Sequence, residues 1–165
     1  MALTLMNLTL VKRTELETIV TTTAPPFGTA LIGQTEKALN AILERQLAGT
    51  GITEPQWVTL TLTAVSGGTV DRAELIRRVS GATQFSQASV AERITELTAA
   101  GLLRDGGDGR VQVTDEGQAR WTQVRTALGP IVQGLWGDQP AEDLATAGRV
   151  LSVVLDRANT VLANS

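Results

Sequence analysis

The chain has no cysteine, no histidine and no tyrosine. Without cysteine there is no disulfide, no thiolate nucleophile, no thiol redox switch and no sulfur ligand for zinc or an iron–sulfur cluster. Without histidine and tyrosine, the commonest general base, the commonest transition-metal ligand and the phenolic acids of many active sites are missing as well. Lysine is confined to Lys12 and Lys37. The remaining Ser, Thr, Asp and Glu form no pair at informative spacing, no Gly-rich phosphate loop and no nucleophile elbow. No catalytic site, cofactor or metal centre is therefore expected, and the chain reads as a non-enzyme. No apolar run approaches the roughly 18 residues of a membrane span. The first residues lack the early positive charge and unbroken apolar run of a secretory signal, since Lys12 and Arg13 come late, so a cytoplasmic protein with no membrane partner is expected.

What is there suits one domain with a hydrophobic core, or a small domain joined to an oligomerisation element, at 165 residues. Residues 1–30 differ from the rest: a Leu- and Thr-rich stretch, then Pro25, Pro26 and Gly28. They read as an arm, either extended or carrying a short helix capped by Thr14 and Glu17. From Leu31 the pattern is helical, with Leu31, Ala38, Leu39, Ile42, Leu43 and Leu47 at i, i+3, i+4 spacing up to Gly49. Thr53 and Pro55 open a second helix with Trp57, Leu60 and Ala64 inward. Asp71 caps a third, with Leu75, Ile76 and Val79 inward.

Residues 86–117, SQASVAERITELTAAGLLRDGGDGRVQVTDEG, then read as a helix, a tight stop at Gly101, a two-stranded hairpin with DGGDG between its strands, and the start of another helix. Val90, Ile94 and Leu97 form the inward stripe of that helix. At about 100° per residue, Ala88, Glu92, Thr95 and Ala99 point the other way, with Ser89 and Glu96 on a shoulder and Gln87 near the start. Two long helices complete the chain. Pro130 marks a kink in the first, and the second carries Leu144, Val150, Leu151, Val154, Leu155, Val161 and Leu162 on one broad face. That face is too apolar for the terminal helix of a monomer of this size. A mainly α protein with a small β-hairpin wing is expected: a winged helix-turn-helix domain plus a helical module.

In order, the SxxSVxxxIxxLxxAGLL pattern and the run Asp108, Arg110, Val113, Thr114 and Gly117 resemble the recognition helix and wing of the MarR family of winged-helix transcription regulators. The resemblance covers about four-fifths of the chain. It implies a homodimer whose dimerisation module comprises residues 31–52 and 115–165, with Leu31, Val150, Val154, Leu155, Val161 and Leu162 at the interface. It also implies a DNA-binding domain over residues 53–114 that reads a pseudo-palindromic duplex. On this reading Ser86, Gln87, Ser89, Glu92, Arg93, Arg110, Arg72 and Arg77 contact DNA. An apolar organic ligand, neutral or anionic, sits by Trp57, Trp121 and Leu47, and Trp136 is core filling.

The charge pattern departs from the family. The net charge is −3, and between residues 53 and 120 seven basic side chains face nine acidic ones. Glu92 points outward where an arginine is usual, and Arg93 is displaced to the flank. Arg110, the arginine at the wing tip, is either a minor-groove contact or a partner of Asp108; Arg72, Arg77 and Arg78 are either phosphate clamps or a solvated face. Two functions are therefore expected: a ligand-released, dimeric DNA-binding repressor with a shallow salt dependence, or a degenerate winged-helix dimer whose acidic face docks a protein.

Overall fold

The computed structural model describes residues 26–164, and the readings made of the arm before residue 26, including the Thr14–Glu17 cap, lie outside them. Six helices and three short strands follow in the order α1 (Thr29–Leu47), α2 (Glu54–Val65), β1 (Thr69–Asp71), α3 (Arg72–Thr83), α4 (Gln87–Ala99), β2 (Leu103–Gly107), β3 (Arg110–Val113), α5 (Asp115–Trp136) and α6 (Ala141–Ala163). No helix among the described residues is long and apolar enough to cross a membrane.

The capping residues set the starts of the middle helices. The Gln56 side chain accepts from the Thr53 N–H at 2.9 Å, the Asp71 carboxylate from the Glu74 N–H at 2.8 Å, and the Ser86 hydroxyl from the Ser89 N–H at 3.1 Å. These helices pack their apolar stripes into one core. Leu60, Leu75, Val79, Val90, Ile94, Leu97, Leu103 and Val124 are all but inaccessible, and Leu47, Trp57, Val70, Leu102, Val111 and Trp121 close round them. Two buried threonines on α2 keep their hydroxyls satisfied by bonding back one turn: Thr59 to the Pro55 carbonyl and Thr63 to the Thr59 carbonyl, both at 2.9 Å.

The wing contains the expected two-stranded hairpin, β2 with β3, and is widened by a third strand. It is a three-stranded antiparallel sheet in the order β1-β3-β2, with β1 pairing Thr69, Val70 and Asp71 to Gln112, Val111 and Arg110. A strand of three residues has no alternation to detect, and it exists only because β3 offers it a free edge. Most of DGGDG belongs to β2, which carries an irregularity between Asp105 and Gly107. The connection is the two-residue turn Asp108-Gly109, with φ of 52° and 73°, the left-handed pair that a tight hairpin requires. Arg110 therefore flanks the turn, in the last pair of the hairpin. It opens β3, between Asp71 on one side and Gly107 on the other.

One junction ties the wing to both flanking helices. The Thr114 N–H donates to the Leu102 carbonyl at 3.1 Å, the Thr114 hydroxyl donates to the Gly101 carbonyl at 2.7 Å, and the Gly117 N–H donates back to that hydroxyl at 3.0 Å. A Cβ at Gly117 would lie 2.0 Å from the Leu102 oxygen, so the first turn of α5 approaches the exit of α4 in a way only glycine permits.

The end of the chain stands apart. Every residue of α6 is exposed in the single chain, including Val150 at 43 %, Val154 at 45 %, Leu155 at 57 %, Val161 at 65 % and Leu162 at 61 %. Leu31 of α1 is half-buried, and with Phe27, Ile32, Leu39, Trp136, Ala147 and Leu151 it lines an apolar groove of about 520 Å³. Trp136, expected in the core, is 43 % exposed there.

Candidate nucleic-acid interface

The α4 geometry follows its periodicity. Val90, Ile94 and Leu97 are buried; Gln87, Ala88, Glu92, Thr95 and Ala99 are exposed; Ser89 and Glu96 are intermediate. Ser86, expected to touch DNA, uses its hydroxyl to cap the helix.

The acidic residues on this helix are not free. The Arg93 guanidinium lies 2.7 Å from Glu92 Oε2 and 3.1 Å from Glu96 Oε1, and Glu96 also accepts from the Gln56 side chain at 2.8 Å. Arg93 is thus held between two carboxylates against α2 instead of reaching outward. Arg77 pairs with Glu74 on the solvent side of α3, and Arg78 donates to the Ser66 hydroxyl at 2.8 Å. Arg72 and Arg77 therefore part company, being five residues apart on one helix and so on different faces.

Arg72, Arg104 and Arg110 form no ion pair among the described residues, and all three line one groove. It has a volume of about 460 Å³ and runs between the outward face of α4, at Thr95, Thr98 and Ala99, and the wing, at Asp105, Gly109 and Val111. Arg72 begins α3, its N–H bonded to the Gly109 carbonyl at 2.9 Å and its guanidinium 3.5 Å from the Ala91 carbonyl. Arg104 is steadied by Gln112 across the strand pair, its Nε 3.1 Å from Gln112 Oε1. Three arginines against one aspartate leave this groove positive, although the surrounding segment is acidic by count. Arg110 has no ion pair with Asp108. Arg104 was missed in the sequence, where the burial of Leu103 next to it in a strand was the available signal that it faces outward.

The expected ligand residues separate. Trp57 and Trp121 are both 8 % exposed and belong to the core, with the Arg125 guanidinium 4.9 Å above the Trp121 ring. Neither lines the groove of about 380 Å³ at the α1–α2 junction, whose walls are Leu47, Ala48, Ile52 and Pro55 with Glu44 and Glu54. Burial first, then the neighbouring Glu36 and Glu44, raise the Glu54 carboxyl above its ordinary pKa. No group of three or more acidic side chains suited to a metal ion occurs among the described residues.

No protein-family model and no curated protein matches the chain. Solved structures do. The organohalide sensing RdhR-CbdbA1625 transcriptional regulator, in its ligand free form, superposes with a TM-score of 0.66 at 14 % identity over 80 % of this chain and 79 % of its own; it also has a 2,4-dichlorophenol bound form. A mutant MarR from E. coli complexed with operator DNA gives 0.61 at 20 % identity, over 76 % of this chain and 91 % of that one. A MarR family transcriptional regulator from Rhodococcus sp. RHA1 gives 0.61 at 16 % identity, over the same two shares. Together with the helix order, the three-stranded wing and the Thr114–Gly117 junction, these likenesses identify the fold of the chain as the winged helix-turn-helix fold of the MarR family.

Proposed function

We propose that this protein is a dimeric, sequence-specific DNA-binding transcriptional regulator. The observation that carries the proposal is the groove between α4 and the wing, where Arg72, Arg104 and Arg110 stand together without carboxylate partners. Arginines beside a helix that enters the major groove suit the phosphates between that groove and the adjacent minor groove. The acidic-face alternative is not favoured, because its ground was a pair of free carboxylates and Arg93 bonds to both.

The exposed apolar face of α6 supports dimerisation. A 23-residue helix with every residue exposed and valines and leucines along it is not stable in water by itself, and a second copy supplies the missing surface. Selection from random duplexes at two salt concentrations tests the proposal: an enriched inverted repeat, with half-sites about one helical turn apart, is the expected result. No enrichment at low salt would remove it.

The proposal extends to repression relieved by a small organic molecule, supported by the likeness to a regulator with a 2,4-dichlorophenol bound form. In this chain the groove at Leu47, Ile52 and Pro55 is the candidate seat, in place of the tryptophans. Glu44 and Glu54 in its wall disfavour an anionic guest, so a neutral or cationic apolar molecule is the class it suits. Titrating 2,4-dichlorophenol into a complex with labelled duplex checks this; release supports it, and an unchanged complex removes neutral halogenated phenols from the class.

A further inference from the structure

We infer that Glu92 reads a base directly and selects a cytosine in each half-site, an inference that rests on the DNA-binding reading above. The exposed face of α4 beyond Gln87 consists of Ala88, Glu92, Thr95, Thr98 and Ala99. The Thr95 hydroxyl spends its proton on the Ala91 carbonyl at 3.0 Å and the Thr98 hydroxyl on the Ile94 carbonyl at 2.8 Å, so both turn only lone pairs outward. The alanines offer methyl groups. The Glu92 carboxylate, its side chain 64 % exposed, only accepts. This face accepts hydrogen bonds and does not donate them.

That restricts what it can read in a major groove. Guanine presents N7 and O6, both acceptors, and thymine presents O4, so a carboxylate meets lone pairs at each. Adenine sets its N6 amino donor beside the N7 acceptor, an arrangement that suits an amide. Cytosine presents the N4 amino donor with no acceptor next to it on its own edge, and is the base that a carboxylate fits.

The carboxylate is also aimed. Arg93 holds Glu92 Oε2 at 2.7 Å and is itself held by Glu96, which Gln56 of α2 anchors at 2.8 Å. Glu92 Oε1 has no hydrogen bond among the described residues and is left for the base. The cost of bringing a carboxylate near phosphates is offset by Arg93 beside it and by the three arginines of the neighbouring groove.

The test is selection from random duplexes with the full chain and its Glu92→Gln and Glu92→Ala variants, followed by titration of the selected site. The wild type should return a cytosine at one position of each half-site, and replacing that C·G pair by T·A should weaken binding about tenfold or more. Glu92→Gln should change the selected base to adenine, because an amide accepts from N6 and donates to N7. Glu92→Ala should lose preference at that position and keep the rest of the motif. The same motif from all three proteins, however tightly bound, would overturn the inference and leave the DNA-binding reading standing, with Glu92 contributing charge alone. No motif from the wild type at either salt, whether or not a variant binds, would overturn both.

Discussion

Replacing Gly117 by alanine should be among the most damaging single-methyl additions in the molecule. The new Cβ would stand 2.0 Å from the Leu102 carbonyl oxygen and 2.9 Å from Val113 Cγ2, so the helix start must withdraw by roughly 1.4 Å to reach an ordinary contact of 3.4 Å. Backbone blocks it, and no rotamer change relieves the clash. Withdrawal pulls the Gly117 N–H from the Thr114 hydroxyl, and with it the bonds from Thr114 to Gly101 and Leu102. A lost N-cap costs about 1 kcal/mol, a lost buried hydrogen bond about 1, and overpacking about 1–3. The total is about 3–5 kcal/mol, set against a domain stability of about 5–15 kcal/mol. Alanine's better helix propensity returns less than about 1 kcal/mol. Urea unfolding followed by far-UV circular dichroism at one fixed protein concentration measures the loss, the concentration being held because a dimer's stability depends on it. Gly81→Ala is the control: it lies in α3, is exposed, and a Cβ there meets nothing within 4 Å, so it should gain about 0.5–1 kcal/mol. A Gly117→Ala protein within about 0.5 kcal/mol of wild type would refute the reasoning.

The other expectations concern assembly, DNA and pH. Leu155→Asp places a charge on the apolar side of α6 and should weaken the dimer by about 3 kcal/mol, roughly 100-fold, so light scattering after gel filtration should find monomers; a wild type that is already monomeric would contradict the assembly. Arg110→Ala should lower the slope of log affinity against log salt by about 1, while Arg77→Ala, whose guanidinium is paired with Glu74 off the groove, should leave it unchanged. Equal effects would deny the groove its special place. For Glu54 the folded state holds the proton more tightly than the unfolded chain, so stability declines as pH rises from the ordinary value of 4.5 through the raised folded pKa. Glu54→Gln should therefore gain on the wild type across that window in urea midpoints, and a gap that narrows with rising pH would reverse the assignment.

The helices were legible because each carries its own signal. Stripes at i, i+3 and i+4 define α1 to α4, and Asp71 and Ser86 mark starts that the structure reproduces with hydrogen bonds. Strand β1 left no such mark, and the ends of the wing strands were misjudged because their pairing with β3 is a long-range fact. The tryptophans exchanged roles for a similar reason. A large apolar side chain fits a core or a pocket equally well by sequence, and only packing placed Trp57 and Trp121 inside and Trp136 at an open groove.

Charge separates the two levels most clearly. The sequence by itself determined the inventory: no thiol or imidazole chemistry, an outward Glu92, an acidic majority around it, and an apolar terminal helix with too much surface for one chain. A count of charges along a chain says nothing about which of them meet. The tertiary structure decided that Arg93 is spent between Glu92 and Glu96, that Arg77 is spent on Glu74, and that Arg72, Arg104 and Arg110, from three separate elements, converge unpaired on one groove. Electrostatic fields depend on distance in space, and residues 72, 104 and 110 become neighbours only when α3 packs on α4 and the wing folds back beside them.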